Sequence, residues 1–130
     1  MGQPYENAEE MKQKYEESGD LYISVDYSNH PIFSVVDNIV FRSVHDYLVH
    51  ILGDYAFGLV GEIACYNLHV KMTTKEAVPA LFVEVLMQAC YAVVRGDFPD
   101  KQKVALPTIF DYYDVGKVDG YYIDNKILKK

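Results

Sequence analysis

Tryptophan is absent from this chain, cysteine occurs twice and histidine four times. Two cysteines cannot build a disulfide framework. Cys65 and Cys90 both sit in apolar stretches and read as small buried hydrophobes. Positive charge is scarce as well, with 12 Lys and Arg against 19 Asp and Glu and a net charge of −7. Nucleic acid and anionic membranes both reward the opposite balance, so neither is expected as a partner. The opening MGQPYENAEE has no basic segment and no apolar run, so no signal peptide is expected, and Glu6 stands where a myristoylation motif needs Ser or Thr. The cytoplasm is the expected location. Also missing are GxSxG, the P-loop, GxGxxG and CxxC, which removes the commonest nucleophile, nucleotide and redox templates.

What is present suits one domain over residues 1–130: half the residues are apolar and 24% are charged, enough for a core that needs no metal to fold. The expected class is α+β and mainly helical. A three-helix core over about 42–52, 59–72 and 75–95 is accompanied by a small antiparallel sheet from 21–41 and a C-terminal hairpin. Residues 6–18 form a polar helix closed by Gly19, so 1–19 is a loosely packed N-terminal helix. LYISVDY (21–27) alternates like a strand, SNHP (28–31) is a turn with His30 at the surface, and the Val- and Ile-rich 32–41 suits a second strand. In 42–52, Val44, Tyr47, Leu48, Ile51 and Leu52 form an apolar stripe at helical spacing. Leu59, Ile63, Tyr66 and Val70 do the same for the next helix, and Thr73 to Glu76 has capping-box spacing for the last. Turn signals at VGK and VDG place the hairpin in 110–125, where it could pair with 21–27.

Residues 77–94 are nearly all apolar, with Glu84 and Gln88 in the middle. A carboxylate at that depth argues for a buried core helix and against a membrane span. Glu84 and Gln88 are four apart and share a face. A buried carboxylate must be paired, protonated or bound to metal, so Glu84 should meet His45, His50 or Arg42. A structural ion pair with Arg42 and a metal site are the two alternatives. His45, Asp46, Val49 and His50 lie opposite the apolar stripe of their helix, on a face that is either solvent or a second, polar interior. On a regular helix His45 and His50 point about 140° apart, so both reach one ion only at a helix end or across a distortion. Asp46 and His50 share a face. Glu62 and His69 do too, about 10 Å apart along the axis. The set His45, His50 and Glu84 is the candidate metal site, with Asp46, Glu62, His69 and Gln88 as outer shell or substitute ligands.

The runs FRSVHDYLVH (41–50), GEIACYNLH (61–69), LFVEVLMQ (81–88), FPDKQK (98–103) and FDYYDVGKV (110–118) together resemble an uncharacterised family of small proteins encoded by tailed phages. That resemblance covers about residues 41–118 and implies no particular activity. If it holds, the location is the host cytoplasm. His45-Asp46, His50 and the later Glu84 are also similar in order to the iron ligands of the aromatic amino acid hydroxylases. This resemblance implies a two-His-one-carboxylate site but not pterin chemistry: Val49 and Ile51 replace the Gly and Pro that flank that family's second His, and 130 residues are too few for its catalytic domain.

Two functions follow as expectations. In the first, a small phage-type protein holds a divalent ion, zinc or iron, that activates water or dioxygen. In the second, a non-enzymatic accessory or counter-defence protein binds a host protein or a small signalling molecule, and the polar cluster only holds the core. Strand edges in 21–41 and the tyrosine-rich tail add the expectation of a homo-oligomer, a dimer above all.

Overall fold

The computed structural model describes residues 3–99, 101–105, 110–118, 121–124 and 127–129, and the protein is mainly helical. Helix α1 (Ala8–Ser18) starts where the Asn7 side chain accepts from the Glu10 amide at 2.8 Å, and it ends at left-handed Gly19, φ 78°. Each residue type meets the backbone demand at its end. The helix buries Ala8 and Met11, and Met11 packs with Tyr5 and Ile51.

Helix α2 (Val35–His45) runs on without a break as a π-helical segment, Asp46–Leu52. This overturns the expected strand at 32–41. The Val- and Ile-rich composition suggested β structure, but Ser34 caps a helix there by accepting from the Asp37 amide at 3.1 Å. Of the expected apolar stripe in 42–52, Ile51 is buried, but Val44, Tyr47 and Leu52 are exposed. Asn38, Val49 and His50 are buried, whereas Val36 (69% exposed), Val40 (57%) and Val44 (48%) face outward.

Residues 21–27 form no strand either, so the expected sheet from 21–41 does not exist. Their carbonyls are taken by a side chain: Arg42 donates to Ser24 O at 2.9 Å, Asp26 O at 2.6 Å and Tyr27 O at 2.7 Å. One fork of guanidinium donors thus replaces the ladder a strand partner would have supplied. Nearby, only an isolated bridge joins Asn29 to Lys101. The strands among the described residues are three short ones within the tail, β1 (Lys117–Val118), β2 (Tyr121–Asp124) and β3 (Ile127–Lys129). They pair antiparallel in that order and none pairs with 21–27. The turn expected at VDG falls partly outside the described residues.

Helix α3 (Leu59–Val70) and helix α4 (Lys75–Arg95) complete the bundle. Thr73 does not cap α4, because its hydroxyl donates back to His69 O at 2.7 Å. Helix α4 begins with a 3-10 turn, carries Pro79 in its first α turn, and contains a second π segment, Val83–Met87. By length and composition it is also long and apolar enough to cross a membrane. Here Leu81, Val85 and Leu86 join Tyr66 in the main apolar core, against Phe41, Ile63 and Phe82.

The loop 53–58 lies against the first turn of α3. A Cβ at Gly61 would collide with the Ala56 carbonyl oxygen, so only glycine permits that approach. Gly61→Ala should therefore cost at least ~2 kcal/mol of stability, since the obstructing atom is backbone and cannot swing away. Urea unfolding of the two proteins measures it.

Candidate metal centre

The α2 π segment solves the geometric problem posed by His45 and His50. A helix bonded i to i+5 takes roughly 4.4 residues per turn, so residues five apart come nearly into line. The two Nε2 atoms lie 3.2 Å apart, with the rings edge to face at 79°. Glu62 comes across from α3 and closes the group. Its Oε2 is 3.3 Å from His45 Nε2 and its Oε1 is 3.4 Å from His50 Nε2. Asp46 Oδ1 stands 4.0 Å from His50 Nε2. Cys65, one turn beyond Glu62 on α3, is fully buried beside them. His45, His50, Glu62 and Cys65 could together hold a metal ion, since one ligand atom from each lies within 4.8 Å of the others.

The other ring nitrogens fix the tautomers. His50 Nδ1 lies 2.8 Å from the Tyr55 carbonyl oxygen, which can only accept, so Nδ1 carries the proton and Nε2 is left facing the cluster. His45 Nδ1 is 3.0 Å from His69 Nε2. Burial, with the charge of His45 adding to it, pulls the His69 pKa down to about 4, so His69 is neutral and fit to accept from His45. His45 Nε2 faces Glu62 Oε2. Phe41 stacks on both His45 and His69, and Phe57 sets its ring edge-on to His50. Glu62 and His69, two turns apart on α3, meet opposite edges of one imidazole; that ring spans the distance between them.

The electrostatics suit a cation. Burial would raise the Glu62 pKa, but His45 and His50 outweigh it and hold the carboxyl down at about 2. Burial works against a charged His50, yet Glu62, the Tyr55 carbonyl and Asp46 outweigh it and raise its pKa above the ordinary imidazole value. Asp46 is shifted upward, chiefly by burial. The Cys65 thiol is pushed far up by burial and by the Glu62 and Asp46 carboxylates.

Glu84 is not in this cluster. Its side chain is buried, at 6% exposure, as a core carboxylate should be, but its partner is His30 rather than His45, His50 or Arg42. His30 Nδ1 accepts from the amides of Ile32 and Phe33, which leaves the Nε2 proton for Glu84 Oε1 at 2.7 Å. His30 is thus an interior group at the end of a loop, not a surface residue. Its side chain is 1% exposed and stacks on Phe33. In the group that could hold an ion, Glu62, expected as outer shell or substitute ligand, stands where Glu84 was expected, and Gln88 stands on α4 with Glu84. Cys65 was missed altogether. The available signal was its i, i+3, i+7 stripe with Glu62 and His69 on α3.

No family model matches this sequence, no curated protein resembles it closely enough to count as a relative, and no solved structure matches it.

A prediction concerns the metal-free protein. The depressed pKa of Glu62 means that its contribution is fully present above the unfolded carboxyl value of 4.5 and is lost as pH falls toward about 2. Melting temperatures of wild type and Glu62→Gln in chelator, taken every half unit below pH 5, should converge as the pH falls through that window.

Proposed function

We propose that this protein binds a divalent ion, zinc above all, through His45, His50 and Glu62, and uses it to activate water against a small molecule. The observation that carries this reading is the set of separations within the cluster. Ligands at ~2.0 Å from a tetrahedral ion stand about 3.3 Å from one another. The two imidazole nitrogens stand 3.2 Å apart, and the two oxygens of the Glu62 carboxylate reach one nitrogen each, Oε2 at 3.3 Å from His45 and Oε1 at 3.4 Å from His50. Two lone pairs aimed at each other across such a gap repel unless a proton or a cation lies between them. Mixed imidazole, carboxylate and thiol donors suit zinc, with ferrous iron next. His69 and the Tyr55 carbonyl serve as the outer hydrogen-bond partners that metal-binding histidines require.

The reading favours three protein ligands and an open fourth position. His45, His50, Asp46 and Glu62 all line a cavity of about 500 Å³, whereas Cys65 does not. Bound there, zinc supplies a Lewis acid that lowers the pKa of water. Asp46, with its pKa raised by burial, stands beside the ligands as a proton acceptor. The phage-type motif order belongs to the same proposal, which makes the protein a small phage-encoded metalloprotein.

Zinc added to chelator-treated protein should bind one to one and raise the melting temperature by mass action. His50→Ala and Glu62→Gln should abolish that shift, while Glu84→Gln and Cys65→Ala should keep it. His69→Leu should weaken zinc binding by roughly 10- to 100-fold. Because His50 holds its proton above the ordinary imidazole pKa, zinc affinity should already fall as pH drops through neutrality. A wild-type protein that neither takes up nor is stabilised by zinc or ferrous iron would sink the reading.

A second reading, a non-enzymatic binding protein that self-associates, is favoured by the outward face of α2. Val36, Val40 and Val44 form an exposed stripe at i, i+4, i+8, extended by Tyr47. An apolar helix face of that kind suits packing against its own copy across a two-fold axis. Light scattering should give a dimer mass for wild type and a monomer for Val40→Asp; a monomeric wild type at micromolar concentration would dispose of it.

A further inference from the structure

The cavity of about 500 Å³ beside the metal-ligand cluster extends past it, along residues 23–27 and one face of α4. On α4, Val85, Ala89 and Ala92 repeat at i, i+4 and i+7, so one side of the helix lines the space. The two alanines leave room that larger side chains would have filled. Phe41 and Phe57 line it beside the histidines. Phe98, which follows the left-handed Gly96 at the end of α4, lines it together with Tyr27. The centroids of those two rings are 5.8 Å apart. A space of this size, walled by aliphatic and aromatic groups, is the usual form of a small-molecule site.

The polar side chains of the wall are already engaged. Arg42 donates to the Ser24, Asp26 and Tyr27 carbonyls. Burial pulls its pKa down, and the charges of Asp46, Asp26 and Glu84 work against that pull. Glu84 accepts from His30, and Glu62 lies against His45 and His50. The Asn38 amide donates to Ser28 O at 3.1 Å and to Gln102 Oε1 at 2.7 Å. The Tyr27 hydroxyl donates to Asp97 Oδ2 at 2.9 Å. Gln3 and Glu6 are exposed to water. A charged ligand would shed its hydration on entering and, away from the cluster, meet no uncommitted buried ion among the described lining residues. The polar end of the cavity is the corner where His45, His50 and Glu62 meet, with Asp46 beside them.

We propose that this cavity takes a neutral aromatic small molecule, its ring between the α4 alanines and Phe98 and its one polar group at the cluster corner. The inference rests on the metal reading for that corner, since it names the class of molecule that the open metal position faces. The place of the ring is set by the apolar wall and holds without a metal.

The test uses the full chain and naphthyl probes of one shape: neutral naphthamide, anionic naphthoate and cationic naphthamidine. Calorimetry and ligand-observed NMR in chelator should give naphthamide an affinity at least about tenfold above that of either ion. Ala92→Leu, which fills the space, should lower that affinity by about tenfold or more. Phe98→Ala, at a partly exposed position where folding does not depend on the ring, should weaken it about fivefold and keeps the test open if Ala92→Leu does not fold. With zinc bound, the matching hydroxamate, a metal-chelating group on the same ring, should bind at least about tenfold more tightly than in chelator. Naphthamide that fails to bind, an ion that binds as well, or an affinity unchanged in the folded variants overturns the proposal. So does a hydroxamate indifferent to bound zinc. If zinc does not bind but naphthamide does, the metal reading falls and the cavity reading stands; if zinc binds and naphthamide does not, the reverse holds.

Discussion

Two imidazole Nε2 atoms held 3.2 Å apart, each within 3.4 Å of a Glu62 carboxylate oxygen, define the physics of this molecule. Such an arrangement is unfavourable by itself and becomes favourable only around a positive charge. Glu62 supplies a negative charge from the next helix, beside both rings. The other features follow from building that constraint into a chain of 130 residues. Phe41, Phe57 and His69 clamp the rings, α2 turns its polar side inward, and the loop after α2 is pressed against α3.

The two π segments stand at the two places where polar groups enter the interior. One brings His45 into line with His50, and the other carries Glu84 and ends at Gln88. A π turn leaves backbone groups poorly served and is rare for that reason. In the second segment the Gln88 side chain donates to the Val83 carbonyl within its own helix. In the first, the Tyr55 amide reaches back to Val49 O at 2.9 Å. Each distortion is therefore stabilised by a specific hydrogen bond.

Much of the helical content was legible in the chain: Gly19 closing α1, the stripe of α3, and the long apolar run of α4 with its central Glu84. The errors share a cause. Period and composition rules assume that apolar residues face inward, and α2 breaks that assumption. Its valines at 36, 40 and 44 read as strand or core, while buried Asn38 and half-buried Arg42 and His45 mark the inward side. The Ser34–Asp37 cap was the local signal for the helix, outweighed by β-branched composition. For the site, the residue types were visible but not their grouping. Regular helix geometry separates His45 from His50, and only a distortion stabilised by tertiary contacts unites them. Glu84 announced the need for a partner, yet His30 lies 54 positions away across a loop, beyond any periodic rule.

The atom that sets the tautomer of His50 is a main-chain oxygen. Its role at position 55 belongs to the peptide unit and not to the phenol, so the information that keeps it there is stored elsewhere. Gly61 admits the loop against α3, and Gly53, where a Cβ would come 2.8 Å from the Val49 carbonyl oxygen, lets the chain leave the π segment. Over evolutionary drift, the chemistry of the site would then be guarded by two residues with no side chain at all, while the residue that makes the contact is free to change its name.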